Sequence, residues 1–212
     1  MRENGGYKII ALVALLLGIV GVTLGYAAFS STLTIKSSAE VNPTDNFNVD
    51  FSSSASAVAT DPIVPSLNVV ATGFTATNAT IDNSGDPEIS NLKATFTEPG
   101  QSATYSFYAY NAGQYVAYLN SIVFSGNKTC TAKTGTTQSL VDAACNGISL
   151  SAKVGSENPT TSSVANITGH SLGINASEQI DVVISYATGS AIADGDFDVA
   201  FPDIVLTYDS AD

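Results

Sequence analysis

The sequence lacks most of what chemistry on charged substrates requires. It has no Trp, one Met, one His (His170) and one Arg (Arg2). Only seven Lys and Arg stand against 19 Asp and Glu, a formal net charge of -12, so no basic face is available to neutralise a nucleic-acid backbone. One His and two Cys are too few soft ligands for most zinc, haem or iron–sulfur centres. A zinc-protease motif needs two His on one helix face with a Glu between them. A Cys nucleophile needs a base beside it, for which His170 is the sole candidate. A triad of His170, Ser171 and an Asp is recognised by geometry, which a sequence does not show. With no acid–base set in view, we expect neither enzymatic activity nor a cofactor. Charged residues make up 12% of the chain, about half the usual share, yet 44% hydrophobic residues make it too apolar to stay unfolded.

Ser and Thr take the place left by charge, with 48 of the 212 residues. Helix surfaces favour Lys, Glu, Arg and Gln, whereas Thr and aromatic residues favour strands. Composition therefore predicts an all-β, acidic protein with one main domain.

The N-terminus differs from the rest. Arg2 and Lys8 precede an uncharged apolar run over residues 9–29, IIALVALLLGIVGVTLGYAAF. That run is long enough to span a bilayer, and a cationic start with small residues at its end also makes a signal peptide. Signal peptidase wants small side chains one and three residues before the cut. Gly25 and Ala27 meet that requirement and place the cut before Ala28. Two readings stay open: a cleaved signal over residues 1–27, or an uncleaved N-terminal apolar transmembrane helix as membrane anchor. Both put the rest of the chain outside the cytoplasm. Cleavage leaves residues 28–212, 185 residues with a net charge of -13, enough for one sizeable core.

After the signal the pattern has period two. Residues 29–36 alternate, with Phe29, Ser31, Leu33 and Ile35 on one face. Residues 37–46 read as a polar linker, and residues 47–212 as a β-sandwich. Within it, strands are expected at 47–51, 89–97, 103–112, 114–124, 148–154 and 179–187, and weaker ones at 69–77 and 79–81. Residues 82–87 and 98–101 are turns. Asn111-Ala-Gly113 reads as the link of a hairpin, with Gly113 at positive φ. In the second strand of that hairpin Val116, Tyr118, Ile122 and Phe124 share a side. Phe197, Val199 and Phe201 hold one phase and Ile204, Leu206 and Tyr208 the opposite one, so Pro202-Asp203 must absorb a bulge or bend. Residues 138–145 suit one short helical turn. Strands at this spacing with turns between them predict a jelly-roll-like antiparallel β-sandwich.

Four further features have more than one reading each. Cys130 and Cys145, in an exported chain, are expected to form a disulfide; free thiols or a bond to another subunit are the alternatives. Asp194, Asp196 and Asp198, and the 82–86 segment, are weak calcium candidates; the plain reading is a capped turn. Tyr105, Tyr108, Tyr110, Tyr115 and Tyr118 suit either cross-strand packing or an exposed contact surface. Asn78, Asn127, Asn166 and Asn175 match the glycosylation pattern, as chance produces in a chain rich in Asn, Ser and Thr.

The segment LGYAAFSS followed by an alternating strand resembles the processed N-terminus of the TasA/camelysin group of exported bacterial proteins, whose signals are cut by a SipW-type signal peptidase. The segment from Asn91 through Glu98-Pro-Gly-Gln and the Tyr-rich strand to Gly113 is similar to that group's proline–glycine hairpin. Residues 193–204 are similar to final strands of such proteins. Residues 52–88 and 125–175 match nothing in the group. The resemblance implies a secreted, cell-surface jelly-roll subunit that self-associates into a fibre of the surface or biofilm matrix. There the strand bearing Phe29, Ser31, Leu33 and Ile35 is donated to the next subunit by β-augmentation. The alternative is that this strand pairs within its own sheet, in a monomeric anchored or secreted adhesion or binding module. The expected partners are further copies of the chain and signal peptidase, with no nucleic acid, and the membrane only through residues 9–29 before cleavage. Some camelysin relatives carry a metalloprotease label, which the single His of this chain does not support.

Overall fold

The computed structural model describes residues 29–39, 47–68 and 73–210. The expected signal or anchor and its cleavage residues Gly25, Ala27 and Ala28 lie outside the described residues, as does most of the linker. Among the described residues no helix is long and apolar enough to cross a membrane.

The chain forms a β-sandwich. In chain order the strands are β1 (Phe29–Ala39), β2 (Val49–Ser52), β3 (Ser66–Asn68), β4 (Thr75–Thr77), β5 (Thr80–Asp82), β6 (Glu88–Phe96), β7 (Ser102–Asn111), β8 (Ala117–Ser125) and β9 (Thr129–Ala132). The helix α1 (Gln138–Cys145) follows, then β10 (Ile148–Val154), β11 (Val164–Ala165), β12 (Ser171–Leu172), β13 (Ser177–Tyr186), β14 (Phe197–Ala200) and β15 (Asp203–Ser210). One sheet has five strands: β10, β13 and β7 in order, with β2 and β3 both on the far side of β7. The other has ten, running β11-β8-β15-β1-β14-β9, with β6 on the second side of β1 and β4 and β5 beyond β6.

Alternation builds the core from both sheets. On β7, Ala103, Tyr105, Phe107 and Ala109 are buried, and on β13 so are Ile180, Val182, Ile184 and Tyr186. They meet Leu92, Ala94 and Phe96 of β6 and Ile204, Leu206 and Tyr208 of β15. Phe51 meets Phe107 edge-on at 5.3 Å between ring centres, and Phe74 stacks on Phe96 at 5.5 Å.

The expected phase change at Pro202-Asp203 is present: Phe201 and Ile204 are both buried, with two less buried residues between them. The helical turn is present as the eight residues of α1.

Three expectations need correction. β7 and β8 are not a hairpin. β7 pairs with β13, β2 and β3, whereas β8 pairs with β15, β11 and β12 in the other sheet. The Asn111–Val116 segment is an arch that carries the chain across the sandwich. Gly113 is not among the residues at positive φ; Asn111 makes the bend instead. Its fully buried side chain donates to the carbonyls of Tyr115 (2.7 Å) and Leu172 (2.8 Å) and accepts from Gly113 N–H (3.0 Å). Tyr118 does not share a face with Ile122. The pairing of β8 with β15 shifts at Asn120, so Leu119 and Ile122 both point inward and Tyr118 is exposed.

Candidate functional site: the slot around the first strand

β1 lies between two walls. On one side it is antiparallel to β6, with Phe29 opposite Phe96, Leu33 opposite Leu92 and Ile35 opposite Ile89. On the other it is parallel to β14 (Phe29 opposite Phe197) and then to β15 (Ile35 opposite Ile204, Ala39 opposite Tyr208). No other strand joins β6 to β14 and β15 among the described residues. Without β1 the ten-stranded sheet would fall into three hydrogen-bonded pieces, β6 with β4 and β5, β15 with β8, β11 and β12, and β14 with β9, each with an open row of N–H and C=O groups.

Both walls are interrupted at the same level. On β6, Ile89 and Leu92 are both buried although they are three apart, which strict alternation forbids. The extra residue is taken up at Asn91, whose φ of 64 is a left-handed conformation that Asn tolerates. Asn91 is tied down there: its carbonyl accepts from Thr77 Oγ1 at 2.7 Å. On the opposite wall, Phe201 and Ile204 are three apart with Pro202 between them. β1 itself runs through unbroken, with Leu33 and Ile35 two apart and both fully buried. The walls therefore each insert one residue opposite Thr34 and still present apolar side chains to the same face. Burying Leu33 and Ile35 stabilises by about 1.5–3 kcal/mol each.

Tyr105 of the five-stranded sheet supports the outer wall. Its hydroxyl donates to the Lys93 carbonyl (2.9 Å), lies 3.1 Å from the Thr77 carbonyl and accepts from Lys93 N–H (3.0 Å). Burial pushes its phenol up to about 12, against hydrogen bonds that pull it down. At the exposed mouth of the slot, Lys36 Nζ is 3.9 Å from Glu88 Oε2; a contact so long and wet contributes little.

Of the residues expected from sequence, Leu33 and Ile35 reach the core, and Phe29 and Ser31 lie on the same strand, where their backbone pairs with β14. Cys130 and Cys145 form a disulfide with Cα atoms 6.1 Å apart, tying β9 to the end of α1. Closing that loop contributes roughly 3 kcal/mol in the chain-entropy model. Lys128 lies over the same helix end, its Nζ donating to the carbonyls of Cys145 (2.6 Å) and Ile148.

Of the three candidate calcium ligands, Asp194 and Asp198 have their carboxylates engaged elsewhere, and Asp196 is held through its carbonyl. Asp194 accepts from Thr137 N–H (2.9 Å) and Thr137 Oγ1 (2.6 Å). The Thr137 side chain, and then its N–H, hold the Asp194 carboxyl below its usual range. Asp198 is 3.1 Å from Lys133 Nζ, and the Asp196 carbonyl accepts from Lys133 N–H (3.0 Å) and Thr136 Oγ1 (2.8 Å). Among the described residues no three His, Cys, Asp or Glu side chains converge for a metal.

The five tyrosines do not form one surface: on β7 Tyr105 and Tyr110 are buried and Tyr108 is half-buried, whereas Tyr115 in the arch and Tyr118 on β8 are each 42% exposed. Asn166 and Asn175 have φ of 56 and 58, which assigns these Asn residues a turn role.

Sequence reasoning missed the roles of Asn91 and Asn111. The signal for Asn91 was present, because Ile89 and Leu92 are out of phase. No protein-family model matches the chain, and no curated protein or solved structure matches it either.

Proposed function

We propose that this protein is an exported, non-catalytic structural subunit of jelly-roll type, which assembles into an extracellular fibre when β1 of one copy fills the slot of the next. The supporting observation is that, among the described residues, β1 alone joins β6 to β14 and β15, between walls shaped to its register. Such a slot accepts any strand of this sequence, its own or a neighbour's, because backbone bonds and alternate side-chain pockets set the fit. The low charge of the chain removes one common defence of a strand edge against pairing. The TasA/camelysin resemblance at the signal end and first strand points the same way.

The test begins with the N-terminus of the secreted protein, expected at Ala28, followed by electron microscopy. Deleting residues 29–36 should abolish filaments; filaments that survive the deletion refute strand exchange. An intact Met1 in the membrane fraction also refutes it.

A second reading is favoured by one observation: β1 here occupies the slot of its own chain. It makes the protein a monomeric anchored or secreted adhesion module. A single species at monomer mass at high concentration after correct processing supports that reading against the first.

A further inference from the structure

The sole histidine, His170, is 8% exposed. His170 Nδ1 is 2.7 Å from Glu178 Oε1 on β13, and its Nε2 is 3.5 Å from Glu157 Oε1 in the loop after β10. An ionised carboxylate only accepts, so Nδ1 carries the proton given to Glu178. In the neutral ring Nε2 is then a lone pair, and it faces a second acceptor, Glu157. That pair lacks a hydrogen to share.

The arrangement is fixed in place. The His170 carbonyl accepts from Leu119 N–H at 3.0 Å. Glu178 lies over Gly155, where a Cβ would fall 2.3 Å from Glu178 Oε1. Glu178 Oε2 and the hydroxyl of Tyr208 are buried without a hydrogen-bond partner among the described residues. Burial, and then the charge of Glu178, push the Tyr208 phenol upward, so it stays neutral. The titratable groups facing His170 are thus Glu157 from the loop and Glu178 from β13, with Tyr208 from β15 behind Glu178.

His170 and Glu157 also line a cavity of about 380 Å³, floored by Leu119 and Ile122 of β8 and Ala152 and Val154 of β10. That volume falls in the range of small-molecule sites, about 300–1,000 Å³. No Lys or Arg lines the cavity. The two carboxylates stand at opposite ring nitrogens, so they do not converge on a metal ion.

We propose that this cavity binds a small amphipathic primary amine, its ammonium shared between His170 Nε2 and Glu157 and its apolar body between the two sheets on Leu119 and Val154. An ammonium brings three donors and the missing charge. A carboxylate ligand would face Glu157 and find no cation. The proposal is independent of strand exchange.

The test is an NMR titration of the isotope-labelled protein at pH 7.5 with phenethylamine, phenethyl alcohol and 3-phenylpropionate. The amine is expected to shift the amides of Leu119, Ile122 and Val154 with a Kd on the order of a millimolar. The alcohol should bind about tenfold more weakly, and 3-phenylpropionate should leave these amides unmoved. Glu157→Gln should weaken the amine about threefold to tenfold, since Glu157 is largely exposed, whereas Asp61→Asn, the same charge change elsewhere, should not. Equal binding of amine and carboxylate, shifts confined to other residues, or equal effects of the two substitutions would overturn the proposal.

Discussion

The two sheets are built on different plans. In the five-stranded sheet the two long ladders of β13 run without a break, from Ile148 opposite Tyr186 to Val154 opposite Ile180, and from Ser177 opposite Tyr110 to Ser185 opposite Ser102. In the ten-stranded sheet β6, β8 and the β14–β15 edge each carry an interruption, and an unbroken β1 joins the three pieces. Regular pairing lets the first sheet hold itself together strand by strand. The second is held by one segment, and its irregularities adapt the walls to that segment.

The largest expected effect removes the segment. Deleting residues 29–36 should lower the unfolding free energy by at least about 3 kcal/mol, measured by denaturant titration. Amide exchange should rise in β6, β14 and β15 and stay slow in β13 and β7. A synthetic peptide of residues 29–39 should restore protection; exchange rising equally in both sheets would erase the contrast.

Alkali should act next. The phenols of Tyr105 and Tyr186 are both raised to about 12 by burial, from about 10 in the unfolded chain. The folded state holds these protons more tightly, so the stabilisation is complete below pH 10 and is lost as the pH climbs through 12. Tyr105→Phe, which also frees Lys93 and Thr77 on the irregular sheet, should flatten the alkaline loss of stability in thermal melts.

A smaller effect separates shape from contact. Asn91→Val should destabilise by about 1–2 kcal/mol, because a β-branched residue resists the left-handed backbone, whereas Asn91→Gly should be nearly neutral. Equal losses in denaturant titration would show that the bond from the Asn91 side chain to Thr80 Oγ1 (3.3 Å) matters more than its φ. The smallest effect is at the slot mouth: Lys36→Ala should change stability by no more than about 0.5 kcal/mol, since the contact with Glu88 is long and exposed.

Which residues point inward was legible along most of the chain. The phase of Tyr105, Phe107 and Ala109, the switch at Pro202-Asp203 and the helix over residues 138–145 all follow from local spacing. Period two says which face is buried, and it is silent about which sheet a strand joins. That is why Asn111-Ala-Gly read as a hairpin although it crosses between sheets. An inserted residue also reverses the phase without altering composition, which misplaced Tyr118. For the candidate site, burial of Leu33 and Ile35 could be read from alternation. The slot could not, because its walls come from distant segments brought together only by the fold. The pairing of His170 with Glu157 and Glu178 was hidden for the same reason.

The parallel course of β1 and β15 has a mechanical consequence. Tension drawn from Phe29 to Ser210 pulls the two strands along each other lengthwise. The backbone bonds between them then bear the load together, in shear, and do not open one at a time as in a peeled hairpin. A body whose first and last strands lie side by side in this sense is suited to withstand pulling from its ends.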